Sequence, residues 1–296
     1  MDFATRDTSP RVRQITWVGI WVNLVLSVIK IAAGIFGTSK ALIADGLESG
    51  MDIFTSLALI VGSKYWNAPP DSDHPYGHRR IETIMSMGVG LIVGLVGISI
   101  TWNAISSLRS GAHNHPTMLA LAGAVVSVIS KELLFQWSVR EGKKIKSMAV
   151  VANAWHHRSD AISSIPVVVA VGCAQFFPAW NFLDALGALV AAAFILKASK
   201  DIIWPALREI ADTGASEETV QSIHDLAASV PGVRSIHALR TRFVGSSIQV
   251  DLHIVVDPRI SVLKGHQIGD AVTDLLKEKG PEVVEVLVHL DPRDDS

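Results

Sequence analysis

The sequence predicts an α-helical membrane protein: six transmembrane helices followed by a C-terminal cytoplasmic α+β domain with its elements in the order α-β-β-α-β. Three observations lead there. Of the 296 residues 49% are hydrophobic and only 18% charged, the balance of a membrane chain with a soluble appendage. The charges crowd the ends and the short connections, leaving six apolar stretches long enough to cross a hydrocarbon core of roughly 30 Å. Beyond about residue 205 the pattern breaks into frequent charges, short alternating runs and Gly/Pro turns.

Residues 1–14 (MDFATRDTSPRVRQ) are polar, with no signal-peptide core, and read as a cytoplasmic tail. The spans fall near 15–36, 41–66, 82–108, 117–138, 149–176 and 182–204, so that 15–205 forms a transmembrane domain. Gly88, Gly90, Gly94 and Gly97 in the third span allow close helix packing in lipid. Residues 206–296 form the second domain. Ser216 caps a helix over 216–230, Pro231-Gly232 ends it, and 233–243 and 247–256 alternate as strands about Gly245. A helix over 261–279 and a strand over 283–290 complete the order.

Orientation follows from Lys and Arg. Arg6, Arg11 and Arg13 precede the first span, Arg79 and Arg80 follow the second, and Arg140, Lys143, Lys144 and Lys146 follow the fourth. The opposite loops hold Lys40 and Arg109. Both termini are therefore expected in the cytoplasm, in what reads as a bacterial inner membrane. The single cysteine, Cys173, excludes an intrachain disulfide framework and a Cys-rich zinc site. The net charge of −2 gives no sign of a nucleic-acid partner.

Two polar clusters interrupt the apolar spans: Asp45, Glu48 and Asp52 in the second, His156, His157 and Asp160 in the fifth. Glu48/Asp52 and His156/Asp160 are spaced four apart, which puts each pair on one helix face. An ionisable group at mid-bilayer costs on the order of 2.5–3.5 kcal/mol on insertion scales, so two facing pairs suit a four-ligand cage for a divalent cation. His157 projects about 100° away from His156. Asp45 and Asn153 each lie three residues before the first ligand of a pair and are read as groups that orient ligands, Asp45 also as a packing or cap residue. Imidazole suits Zn, Fe and Ni, whereas three carboxylates shift preference towards harder ions. In the tail, His237, Asp251, His253, His266, His289 and Asp291 are possible ligands.

The runs SKALIADGLESGMDIFTS, DSDHPYGHRRIET, AWHHRSDAISS and the final VHLDP, in that order, resemble the cation diffusion facilitator family over nearly the whole chain. The resemblance implies a homodimeric divalent metal/proton antiporter of the bilayer, not an enzyme. Its substrates would be metal ions and protons, with Zn²⁺ the leading cargo, Fe²⁺ next, and Co²⁺, Mn²⁺ or Cd²⁺ also compatible. The transport ligands it implies are Glu48, Asp52, His156 and Asp160. A loop site falls on Asp71, His74 and His78. A tail site falls on His237, His266, His289 and Asp291, with Asp251 at a position usually held by His. Arg80 and Asp212 match a family charge pair expected at a dimer contact, and Lys131 and Glu132 match a family pattern without an assigned role. The His113/His115 pair reads as solvated. Two other classes stay open: an intramembrane metalloenzyme, against which stands the lack of an HExxH pair, and a non-transporting metal receptor or scaffold.

Overall fold

The computed structural model describes residues 10–111, 115–145 and 147–292. Most of the expected N-terminal tail, together with His113 and Lys146, lies outside them. Six long helices come first: α1 (Pro10–Phe36), α2 (Lys40–Trp66), α3 (Arg80–Ser110), α4 (Met118–Lys144), α5 (Met148–Phe176) and α6 (Phe182–Ile210). At about 1.5 Å per residue, each exceeds the thickness of a hydrocarbon core. All but α2 are long and apolar enough to cross a membrane by length and composition alone. In α2 the apolar run is broken by Asp45, Glu48 and Asp52.

Contacts divide the chain into two compact units, residues 1–60 with 89–201 and residues 61–88 with 202–296. The first unit is packed with small side chains: Ala33, Ala41, Ala44, Ala104, Ala120, Ala124, Ala188 and Ala191 are all buried. Large ones such as Trp21, Val28, Leu95, Trp102 and Leu133 face outward. This inside-out distribution is what lipid favours, because small residues let helix backbones approach while bulky apolar ones meet acyl chains. Gly123 shows the tightness, since a Cβ there would meet Ala33 Cβ at 2.7 Å. Pro166 in α5 and Pro205 in α6 each remove an i→i−4 hydrogen bond and soften those helices.

The turn between α1 and α2 is held from α6. Asp184 accepts hydrogen bonds from Ser39 Oγ (2.5 Å), Lys40 N (2.7 Å) and Ala41 N (3.4 Å). Its carboxylate thereby serves the orphan amides and positive end of α2 from another helix.

In the second unit, α7 (Glu217–Ala228), β1 (Ser235–Val244), β2 (Ser247–Val255), α8 (Val262–Lys279) and β3 (Val283–Asp291) follow the expected order. Ser216 and Ser261 cap the helices through their hydroxyls. The sheet runs β1-β2-β3, the first pair antiparallel and the second parallel. Parallel neighbours need a crossover, which α8 supplies. Ile223 and Ala227 of α7, Val250, Leu252 and Ile254 of β2, and Val272 and Leu276 of α8 form the core on one sheet face. The alternate residues, among them His253 and the exposed Leu287, belong to the opposite face. Arg80 and Asp212, expected at a dimer contact, pair within one chain at 3.1 Å.

Candidate metal centres

Among the described residues, three groups of His and carboxylate side chains bring ligand atoms within 4.8 Å of one another: Asp52/His156/Asp160, Asp71/His74/His78 and His237/His253/Asp291. The first lies on α2 and α5. His156 Nδ1 is 3.9 Å from Asp160 Oδ1, a spacing that leaves room for an ion between them. Glu48, half-buried one turn away on α2, stands outside the group in this conformation. His157 is buried against α1, where Gly19 makes room: a Cβ there would meet the ring at 3.2 Å. The amides of Asn153 (3.2 Å from Nε2) and Asn23 (3.4 Å from Nδ1) bracket it. A neutral imidazole accepts at one nitrogen only. Turning the Asn23 amide would bring Oδ1, a buried oxygen with no partner, onto the other nitrogen's N–H.

The two groups expected to orient cage ligands have other partners. Asn153 meets His157, as above. Asp45 accepts from Ser164 Oγ at 2.6 Å and pairs with Lys30 of α1 at 2.7 Å. The reason is depth: Asp45 is almost without solvent, and a carboxylate there requires a cation and hydrogen bonds. Lys30, passed over in the sequence, stands as a lone charge in the apolar run VIKIAAG, whereas Lys131 was noted there without a role. Neither announces its partner.

The loop group is built by a turn. Asp71 Oδ1 accepts the backbone N–H of His74 (2.7 Å) and of Asp73 (3.0 Å), while Gly77 takes φ +80°, where a side chain would be strained. His74 Nδ1 and His78 Nε2 each come within 3.2 Å of one Asp71 oxygen. His78 Nδ1 faces the Pro69 carbonyl at 3.1 Å, so Nδ1–H donates there and Nε2 is the nitrogen turned towards Asp71. The His74 backbone amide, with the His74 ring, the Asp73 amide and His78, holds the Asp71 carboxyl below its ordinary value. The donor set suits a divalent transition metal.

The tail group comes from sheet register. His237 of β1 lies opposite His253 of β2, which in turn lies opposite His289 of β3. Asp291, two residues along β3 on the same face, gathers them: His237 Nε2 and His253 Nδ1 are each 3.0 Å from Oδ2, and His289 Nε2 is 3.3 Å from Oδ1. Burial alone would raise the Asp291 carboxyl, but the His253 hydrogen bond, the charges of His289 and His253 and the His237 hydrogen bond outweigh it. The carboxyl sits below its ordinary value.

Two residues expected here are elsewhere. Asp251 faces Arg240 at 3.9 Å, and His266 on α8 faces Asp270 at 3.4 Å. His253 takes the place that Asp251 was expected to hold. The cause is a β-bulge between His237 and Arg240, with Ala238 at φ +48°. Continuing the Arg240↔Asp251 register would set His237 opposite Ile254, on the core face. The bulge turns it onto His253 instead.

Against known sequences, residues 16–211 match the family described as "Cation efflux transmembrane domain", and residues 215–293 the one described as "Cation efflux protein, cytoplasmic domain". Metal tolerance protein C1 of Arabidopsis thaliana is 36% identical over 93% of this chain, which spans 61% of that relative's length. Manganese efflux system protein MneP of Bacillus subtilis is 30% identical, with 95% of this chain and 96% of that one covered. Magnetosome protein MamB of Paramagnetospirillum magneticum is 30% identical, with 94% of each covered.

Proposed function

Because this chain belongs to the cation efflux family, the cation diffusion facilitators, and is an integral multi-pass membrane protein, we propose that it exports divalent transition-metal cations from the cytoplasm in exchange for protons. The observation that carries the reading is the convergence of Asp52, His156 and Asp160 between two long helices of the membrane unit. Glu48 is the natural fourth ligand, one helical turn from Asp52, and a change of its rotamer closes the set.

Metal binding needs ligands stripped of protons. Cargo entering from the cytoplasm therefore releases protons from this group, and protonation of the same ligands on the far side, His156 included, expels the metal. Rocking of α2 and α5 between the two openings couples the flows without ATP. Zn²⁺ suits a two-plus-two tetrahedral set. The three carboxylates, and the manganese efflux named for one relative, put Mn²⁺ and Fe²⁺ beside it.

The loop and tail groups fit divalent ions through their own donor chemistry, and we assign them regulatory rather than transport roles. The tail group draws on all three strands, so a bound ion would tie the sheet together and bias a tail dimer between two states. We place the termini in the cytoplasm on the distribution of Lys and Arg.

The test is uptake of Zn²⁺, Fe²⁺, Co²⁺ and Mn²⁺ into proteoliposomes under an imposed pH gradient, for wild type and Asp160→Ala. Gradient-dependent flux lost in the variant is the expected result, and the order of rates ranks the ions. Flux that ignores the gradient would remove the proton coupling. Flux that survives Asp160→Ala would remove the site.

A further inference from the structure

The transport reading leaves two buried ammonium groups without a task. Lys30 has no solvent exposure; its Nζ lies 2.7 Å from Asp45 Oδ2 and within 3.2 and 3.3 Å of the Ser49 and Ser164 hydroxyls. Lys131 of α4, 2% exposed, has its Nζ 3.2 Å from Ser49 Oγ and 3.9 Å from Asp160 Oδ2. Ser49 therefore accepts from both lysines, using both lone pairs of one hydroxyl. An ammonium so far from water persists only beside negative charge.

The charges around the cage can be paired off. Lys30 is matched by Asp45. Arg158 faces Glu132 at 3.7 Å and stacks over the Phe135 ring at 4.7 Å from its centroid. What remains beside the cage is Glu48, Asp52, Asp160 and Lys131; the other charges of these helices, Lys40, Lys64, Arg140, Glu141, Lys143 and Lys144, stand towards the ends of α2 and α4. With the carboxylates ionised, three negative charges stand against one positive, leaving the charge that one divalent cation cancels.

We propose that Lys131 is a resident counter-cation of the transport site, which trims the charge of the ligand group to match a divalent cargo and steadies Asp160 while the cargo is away. It is a positioning residue and not a metal ligand. The inference rests on the transport function proposed above. Its geometry suits the task. The contact to Asp160 is loose and the one to Ser49 close, so the ammonium withdraws onto Ser49 when metal claims Asp160. A charge that stays in the site also weakens the hold on the ion, which favours release.

The test compares wild type, Lys131→Met and Lys131→Arg in proteoliposomes, with Mn²⁺ and Zn²⁺ run in parallel at fixed pH. Removing one positive charge from a poorly screened site should lower KM by about ten-fold and slow turnover by a similar factor. Lys131→Arg should stay near wild type. An unchanged or raised KM in Lys131→Met would overturn the proposal. Thermal melting of the purified full chain supplies a second reading if Lys131→Met reconstitutes poorly. The metal-free form alone loses the partner of Asp160, so Mn²⁺ should raise Tm more in Lys131→Met than in wild type. Equal destabilisation with and without Mn²⁺ would mark Lys131 as packing only and overturn the proposal. Failure of wild type itself to move either ion would instead strike the transport reading.

Discussion

The membrane group and the tail group are built from similar side chains and held in opposite ways. In the tail, three histidines sit in register on adjacent strands and one carboxylate meets all three within 3.3 Å. Between α2 and α5 the contact of His156 with Asp160 is 3.9 Å, Glu48 stands aside, and Lys131 shares Asp160. A sheet fixes its ligands by backbone hydrogen bonds that a bound ion need not disturb. Two helices joined through side chains fix theirs only as far as the helices hold still. The first arrangement suits retention and the second suits passage, since a carrier that grips its ion too well cannot deliver it.

The sharpest break in this comparison comes from the membrane group itself. Asp52→Ala and Asp160→Ala are each expected to abolish metal flux, a loss of at least about 100-fold, while circular dichroism stays helical, because each removes a ligand together with a costly carboxylate. Retained flux would mean that the convergence on α2 and α5 is structural. In the tail, His253→Ala should weaken metal binding by roughly 10- to 100-fold and Asp251→Ala hardly at all. Calorimetric titration of Mn²⁺ or Zn²⁺ in an Asp71→Ala/Asp160→Ala background, which removes the membrane and loop groups, isolates that site. Equal losses would restore Asp251 as a ligand.

Neighbouring histidines on α5 offer a finer contrast. His156→Ala should cut flux strongly. His157→Ala should chiefly lower the melting temperature, by removing a buried ring and stranding two amides, at about 1–3 kcal/mol. The reverse pattern would put His157 in the cage. Smallest is Ala238→Gly in the tail. It relieves a left-handed backbone at φ +48° and should raise stability by about 0.5–1 kcal/mol with metal affinity unchanged. A fall in affinity would show that the methyl group, as well as the bulge, positions His237.

Much of the architecture was legible because it is written in periodicity. Long apolar runs gave the six helices, and Ser216 ahead of a helical pattern gave the first tail helix its start. Spacings of four put Asp52, His156 and Asp160 on facing stripes. What was not legible is register and depth. Nothing in SIHALRTRFV marks a bulge, because Ala238 carries no turn signature, yet that one residue decides whether His237 meets His253 or the core. Asp45 looked like a ligand's helper by its spacing. Only three-dimensional packing brings Lys30 of α1 and Ser164 of α5 onto it. Charges in apolar runs announce that a partner exists, not which one it is.

The carboxylate of Asp184 has a mechanical consequence. It ties the first turn of α2 to α6 through Ser39, Lys40 and Ala41. Sliding α2 along its own axis would break all three bonds together, whereas tilting it about that end keeps them. Asp52 lies about 18 Å along the helix from this anchor, so a tilt of about 10° carries it through about 3 Å. That exceeds a ligand-to-metal bond length of about 2 Å, and is reached by a swing that the anchored end barely feels. In the proposed transport cycle the tie would convert a small angle into the opening and closing of the ligand group, with α2 as a lever and its fulcrum at Asp184.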